Sequence, residues 1–231
     1  AELVARCDCV VAAGQNLAKR IRDMGRQPTV ITHGVDLDHW QCATPQDPLL
    51  LREIPRPICM FWGLIDRRLD LEWLQALSDR LQNGSIVLVG PEQDPDSRVY
   101  QCKRLVRVGA QPLALLPLLA SQADVLIMPY ADLPVTRAMQ PLKLKEYLAT
   151  GKPVVGRRLP GVVDWSDCMH AVESAEDFVS RTIASLGRPL PSEHRVARIR
   201  LSQESWVQKS QQLYQVLFQR TGQSKSQGTE I

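Results

Sequence analysis

A lysine and a glutamate three residues apart, Lys143 and Glu146, sit at the start of a segment that reads as a helix following a long loop. The loop itself follows Val125 to Met128, an unbroken apolar run ended by Pro129, as expected of a parallel strand buried on both faces. Pro141 suits a helix start, where its missing N–H would have lacked a partner anyway. Leu144, Tyr147 and Leu148 recur at helical spacing and give that helix its buried side, which puts Lys143 and Glu146 on the side facing the loop. Gly151 stops the helix, and Pro153-Val154-Val155 begins another strand. A lysine in the first turn opposes the helix dipole unless an anion compensates it. A carboxylate one turn deeper can accept hydrogen bonds from ribose hydroxyls. The chemistry expected here is the binding of a phosphorylated ligand at a strand end; the plain alternative is a solvated surface pair.

Three further strand ends carry groups of the same kind. Gly63 follows the apolar run Ile58 to Trp62 and precedes Arg67 and Arg68, whose planar guanidinium groups could hold a diphosphate. Two solvated arginines ahead of a helix are the alternative, and no GxGxxG dinucleotide fingerprint is present. Gly90 closes Ser85 to Val89, and Gly109 closes Leu105 to Val108. If the site lies at that edge, the backbone of Gly90, Val108 and Gly109 is placed to contact a base; otherwise these are turn glycines. The four histidines are scattered, with His170 and His194 read as structural and no Ser-His-Asp or metal spacing in view. The six cysteines include no CxxC pair, so core filling is expected and no metal site. Cysteine usage fits a reducing cytoplasm.

The elements that must position these residues alternate strand and helix. Asp8 to Ala13, Gln15 to Met24 and Thr29 to Thr32 form a small β-α-β unit, its helix expected to turn Leu17, Ile21 and Met24 inward. A second series runs from Ile58 through helices at 69–81, 113–120 and 175–186 and strands ending with 169–172. That rhythm predicts an α/β fold, a Rossmann-like doubly wound parallel sheet rather than an eight-stranded barrel. The expected organisation is a remnant domain at 1–40, a proline-rich linker at 41–57, a nucleotide-binding domain at 58–190, a terminal helix at 191–220 and a disordered tail at 221–231. That terminal helix carries Val196, Ile199, Trp206, Leu213, Val216 and Leu217 as a partial apolar stripe and is expected to pack back toward the cleft. A net charge of +3 is too small to argue for nucleic acid. No apolar run is long enough to span a bilayer, and the opening Ala-Glu-Leu-Val-Ala-Arg shows no signal peptide and leads us to expect a chain cut from something longer.

The segment from Pro141 to Val155, PLKLKEYLATGKPVV, resembles the signature of retaining, nucleotide-sugar-dependent glycosyltransferases with the GT-B fold, the group-one (family-four) type. CDCVVAAGQNLAKRIRDMG and VITHGVDLDHW resemble the end of that family's N-terminal domain and the crossing into the C-terminal one. MFWGLIDRRLDLEWLQAL and IVLVGP resemble the first two strands of the C-terminal domain. The resemblance implies that Glu146 is the second glutamate of the Glu-x7-Glu motif and holds the donor ribose. It also implies that Gly63, Arg67 or Arg68, and Lys143 surround the diphosphate, and that Thr136, Arg137 and Gln140 border the donor sugar. The first glutamate of the motif falls at Ala138, and an arginine that often follows the first-strand glycine is replaced by Leu64. The implied partners are a nucleoside-diphosphate sugar and a saccharide or lipid-linked acceptor, with no further cofactor, no nucleic acid and an N-terminal domain upstream. The implied setting is cell-surface polysaccharide or glycoconjugate synthesis, in the cytoplasm or at the inner face of the membrane. Two rivals are a non-catalytic nucleotide-binding module and a sugar-nucleotide epimerase of the same architecture.

Overall fold

The computed structural model describes residues 2–41 and 49–218. The chain divides into two compact units: the segments up to Asp36 and from Arg200 onward form one, and Leu37–Ile199 the other. The smaller unit contains helix α1 (Glu2–Arg6), strand β1 (Val11–Ala12), helix α2 (Gln15–Asp23) and strand β2 (Thr29–Val30), with β1 and β2 paired in parallel. Ala18 and Ile21 of α2 bury themselves on Ala12, flanked by Val4, Val10 and Val30. Leu17 and Met24, expected inward, are exposed. Small Ala18, not Leu17, lets the helix approach the two short strands closely, which rotates the helix relative to its apolar maximum. The Arg26 guanidinium ties α1 to the turn after α2 by donating to the carbonyls of Ala5 and Cys7.

The larger unit opens with helix α3 (Leu37–Gln41) and continues through β3 (Ile58–Trp62), α4 (Leu71–Arg80), β4 (Ser85–Val89), β5 (Leu105–Gly109), α5 (Leu116–Ser121) and β6 (Val125–Met128). Helices α6 (Pro134–Ala138) and α7 (Leu142–Ala149) follow, then β7 (Val154–Arg157), β8 (His170–Val172), α8 (Ala175–Ser185) and α9 (Ser192–Ala197). All six strands run parallel in the order β5-β4-β3-β6-β7-β8. Every residue of β3, β4 and β6 is buried, which is why these segments are continuous apolar runs. Asp70 caps α4 by accepting from the Trp73 amide at 3.1 Å, and Ser174 caps α8 through the Asp177 amide at 3.0 Å. The two helices meet where the Trp73 and Phe178 rings lie 5.0 Å apart.

Two pieces of the chain were read differently from the sequence, the second of which runs on past Arg200 into the smaller unit. The expected linker contributes a 3-10 turn, Leu49–Leu51, whose Leu51 is fully buried. Cys42, like the tail at 221–231, lies outside the described residues. The single terminal helix is instead α9, a 3-10 stretch Arg198–Glu204 and α10 (Trp206–Phe218). The break follows from what its residues hold. Buried Arg198 donates to the carbonyls of Leu148 at 3.2 Å, Lys152 at 2.9 Å and Cys168 at 3.0 Å, and burial lowers its pKa to about 10. That cation sits at the C-terminal end of α7, where orphan carbonyls and the helix dipole favour it. Further along, Val35 donates to the Glu204 carbonyl at 2.9 Å, and Gly34 lies so close under Trp206 that a Cβ would come within 2.7 Å of the indole. Val196, Ile199, Trp206, Leu213 and Leu217 are exposed, so the apolar stripe is not buried within this chain. Cys59, Cys102 and Cys168 are buried free thiols, whereas Cys7 and Cys9 are half-buried.

Helix α7 is also locked to the sheet, one residue before Leu148, by a single side chain. Tyr147, fully buried, accepts from the Trp62 amide at 2.8 Å through its hydroxyl, which lies 3.2 Å from the Trp62 carbonyl. Tyr147→Phe should leave the Trp62 N–H buried without a partner and cost about 1–3 kcal/mol. Urea denaturation checks this; a loss below about 0.5 kcal/mol would show that the amide finds another acceptor.

Candidate functional site

The strand order reverses between β3 and β6, and in open α/β sheets the crevice above the carboxyl ends at such a point is where ligands bind. The loops leaving these two strands are joined to each other. Asp70 donates its amide to the Pro129 carbonyl at 2.7 Å, and the Ala131 amide donates to Arg68 at 2.8 Å. Arg157, at the end of β7, braces the junction: its guanidinium bonds Asp70, donates to the Tyr130 carbonyl at 2.7 Å and lies 3.8 Å above the Trp73 ring.

Gly63 ends β3 with φ of +144°, and its amide donates to the Val89 carbonyl at 2.8 Å. A Cβ on Gly63 would fall 2.1 Å from the Lys143 ammonium, and one on Gly90 would fall 1.9 Å from the Gly63 carbonyl. Two backbones and a cation therefore meet in a space no side chain could share. Lys143 comes from the first turn of α7, whose cap residue Pro141 offers no side-chain hydrogen bond. Its ammonium faces the Phe61 ring at 5.3 Å and the Tyr130 ring at 5.9 Å. Among the described residues it makes no hydrogen bond or ion pair. Burial lowers the Lys143 pKa; Glu146 and Asp66 oppose that and Arg68 adds to it, so all four groups share one neighbourhood.

Of the two arginines expected at the diphosphate, Arg68 lies in that neighbourhood, chelated by Asp66 at 2.8 Å. Arg67 turns outward to Asp94 at 2.7 Å, with 69% of its side chain exposed. Glu146 is half-buried and accepts from the Trp62 indole Nε1 at 3.2 Å through Oε2, while among the described residues its Oε1 carries no bond. Residue-pattern reading missed Trp62 because it counted that residue only as the last apolar position of a strand. At the sugar end, Thr136 is fully buried, its hydroxyl donating to the Ala131 carbonyl at 2.5 Å and accepting from the Leu133 amide at 2.9 Å. It staples its own loop, and its hydroxyl is turned away from solvent. Arg137 pairs with Asp132 at 2.5 Å, and exposed Gln140 stands just before α7. On the other side of β3, the Gly90 amide donates to the Gly109 carbonyl at 2.8 Å, and the Val108 carbonyl accepts from Gln111 at 3.2 Å. Gly63, Arg68, Lys143 and Glu146 are thus brought together, with Gly90 directly behind Gly63. Arg67 and Arg137 are drawn outward by carboxylates of their own. Among the described residues no cluster of three His, Cys, Asp or Glu could hold a metal ion, and no helix is long and apolar enough to cross a membrane.

No family model matches the chain. It is similar to TuaH of Bacillus subtilis (strain 168), a protein named as a teichuronic acid biosynthesis glycosyltransferase, at 29% identity over 168 residues, 68% of this chain and 42% of that one. Among solved structures it is similar to sucrose-phosphate synthase from Thermosynechococcus elongatus, with a TM-score of 0.72 and 20% identity over 96% of this chain and 60% of the other. Anabaena HepE in complex with UDP and glucose superposes with a TM-score of 0.70 at 16% identity, covering 91% of this chain and 63% of that one. A trehalose 6-phosphate synthase from Burkholderia multivorans gives 0.72 at 15% identity, covering 97% and 62%. This is the GT-B glycosyltransferase fold. The chain spans about 42% of the curated relative it matches and under two thirds of each of these solved structures.

The unpartnered ammonium makes a stability prediction. Charged Lys143 pays its desolvation without a counter-ion, so Lys143→Met should raise the melting temperature of the unliganded protein by about 2–4 °C, the equivalent of ~1 kcal/mol. The folded pKa is lowered below the ordinary 10.5, so the unfolded chain binds the proton more tightly. Wild-type stability should therefore rise with pH through that window and close on the variant. Melting curves between neutral pH and pH 10.5 check both statements; an unchanged gap across that range would refute the assignment.

Proposed function

We propose that this chain is the donor-binding half of a glycosyltransferase that moves a sugar from a nucleoside diphosphate to an acceptor hydroxyl. The observation that carries the reading is the Lys143 ammonium, held bare against Gly63 at the switch point of the sheet. An unpaired, partly buried cation beside a strand-end glycine and a helix start is a receptor for a phosphate anion. Arg68 lies close enough to join it, and Glu146, one helical turn deeper, presents the free Oε1 that a ribose hydroxyl needs.

When the sugar leaves, negative charge grows on the diphosphate. Lys143, Arg68 and the start of α7 are groups that stabilise that charge more than the ground state, which is how electrostatic catalysis lowers a barrier. The reading calls for cationic side chains and no metal ion. The backbone at Gly90, Val108 and Gly109 borders the base, and Gln140 together with the 134–138 helix borders the sugar. The acceptor, a saccharide or lipid-linked hydroxyl of cell-surface polysaccharide synthesis, is suggested by the similarity to TuaH. Work on such an acceptor calls for a cytoplasmic protein, free or at the inner face of the membrane.

Two measurements test this. In a thermal-shift screen of uridine, guanosine, adenosine and thymidine diphosphate sugars, the bound donor should raise the melting temperature by mass action. By calorimetry, Lys143→Ala and Glu146→Ala should each weaken that donor about tenfold or more, the scale of one hydrogen bond to a charged group. Undiminished affinity in both variants would refute the site.

A further inference from the structure

We propose that Trp62 is a positioning residue that aims the Glu146 carboxylate, and through it sets the preference of the site for a ribose over a 2′-deoxyribose diphosphate. The inference rests on the donor-binding reading and adds to it a residue that touches no ligand.

Trp62 is bound on every side. Its amide and carbonyl engage the Tyr147 hydroxyl, and its ring lies 4.0 Å from the Tyr147 ring. On the other side the Trp40 indole of α3 stacks on it at 5.1 Å with the planes only 11° apart. Only 4% of Trp62 is exposed, so its rotamer is determined by packing. The single polar atom of that ring, Nε1–H, is spent on Glu146 Oε2 at 3.2 Å. An indole nitrogen only donates, so the bond fixes which carboxylate oxygen is occupied and leaves Oε1 as the acceptor for a ligand. Glutamate has three rotatable side-chain bonds, and an unheld carboxylate would spend most of its time out of line with a ribose hydroxyl. Prepaying that ordering is what a rigid donor behind the carboxylate does. Trp40 supports the arrangement from a helix that precedes the sheet in sequence, and its neighbour His39 is itself held by the Leu113 carbonyl at 3.2 Å.

The test compares uridine, guanosine and adenosine diphosphates, each beside its 2′-deoxy counterpart, by calorimetry on the full chain. Wild type should prefer the ribose form of its best-bound nucleotide by about tenfold. Trp62→Phe keeps a ring in the stack but removes the N–H; the preference should fall to about twofold while binding of the deoxy form is nearly unchanged. In Glu146→Gln the same Trp62→Phe change should have no further effect on the preference, since its route is gone; a merely structural role would weaken both sugars alike and add in the double variant. A retained tenfold preference in Trp62→Phe, with Glu146→Ala still losing it, overturns the positioning role and leaves the donor site standing. Absence of binding by wild type to these three and to thymidine diphosphate overturns the donor reading itself, whereas binding of thymidine diphosphate alone overturns the ribose preference. Should Trp62→Phe not fold, the wild-type indole N–H signals of the five tryptophans decide. One of them should be protected from hydrogen exchange and lose that protection in Glu146→Ala; no such signal overturns the proposal.

Discussion

A glycine that cannot become anything else holds this site together. Gly63 accepts the Gly90 backbone against its carbonyl on one side and the Lys143 ammonium in place of a side chain on the other. Its φ of +144° is itself in the region that L side chains rarely adopt. The end of β3, the end of β4 and the first turn of α7 are therefore placed relative to one another by the absence of one methyl group. The chain then spends much of its packing keeping α7 at that distance. Tyr147 grips the Trp62 backbone from the second turn of the helix, and Arg198 grips the carbonyls of Leu148 and Lys152 at its C-terminal end. With both anchors in place the helix has little freedom to withdraw Lys143.

Charges around the crevice fall into two kinds. Arg67 with Asp94, Arg98 with Asp96 and Arg137 with Asp132 are solvent-screened surface pairs that add little to stability. Their effect is more on where loops point than on how stably they fold, and they neutralise the cations that stand outside the crevice. Arg157 is different: only 14% of its side chain is exposed, and its bonds to Asp70 and to the Tyr130 carbonyl join the two loops that flank the switch point.

The sheet was legible from the sequence because its signals are local. Apolar runs ending in Gly or Pro mark β3, β4 and β6, and the helix after Pro141 shows its buried stripe within eight residues. What could not be read depends on partners far along the chain. Trp62 and Glu146 are 84 residues apart, and nothing in either neighbourhood signals a hydrogen bond between them. The choice between Arg67 and Arg68 turns on Asp94, which enters from the loop after β4 with a left-handed φ of +47°. The face of α2 was misjudged because periodicity weights Leu17 and Met24 above Ala18, whereas a helix lying close on two-residue strands needs the small side chain inward. The family resemblance put Thr136 at the border of the donor sugar; its hydroxyl satisfies the backbone of the turn it sits in, a local pairing that the resemblance does not signal.

The same residues explain why the empty protein carries an unfavourable charge at all. A lysine over two aromatic rings gains from their faces, by ~0.5–1 kcal/mol at exposed sites and more when desolvated, yet that does not replace a counter-ion. Glu146 could serve as one, but its Oε2 is drawn to Trp62 and among the described residues the pair does not close. Trp62 thus separates the two charges of the site, holding the anion in one place while Gly63 makes room for the cation in another. An ion pair formed between them would stabilise the fold and would have to be broken by every ligand. On the donor-binding reading proposed above, each charge kept apart serves a different part of one molecule, and the stability lost in the unliganded state is recovered when that molecule binds.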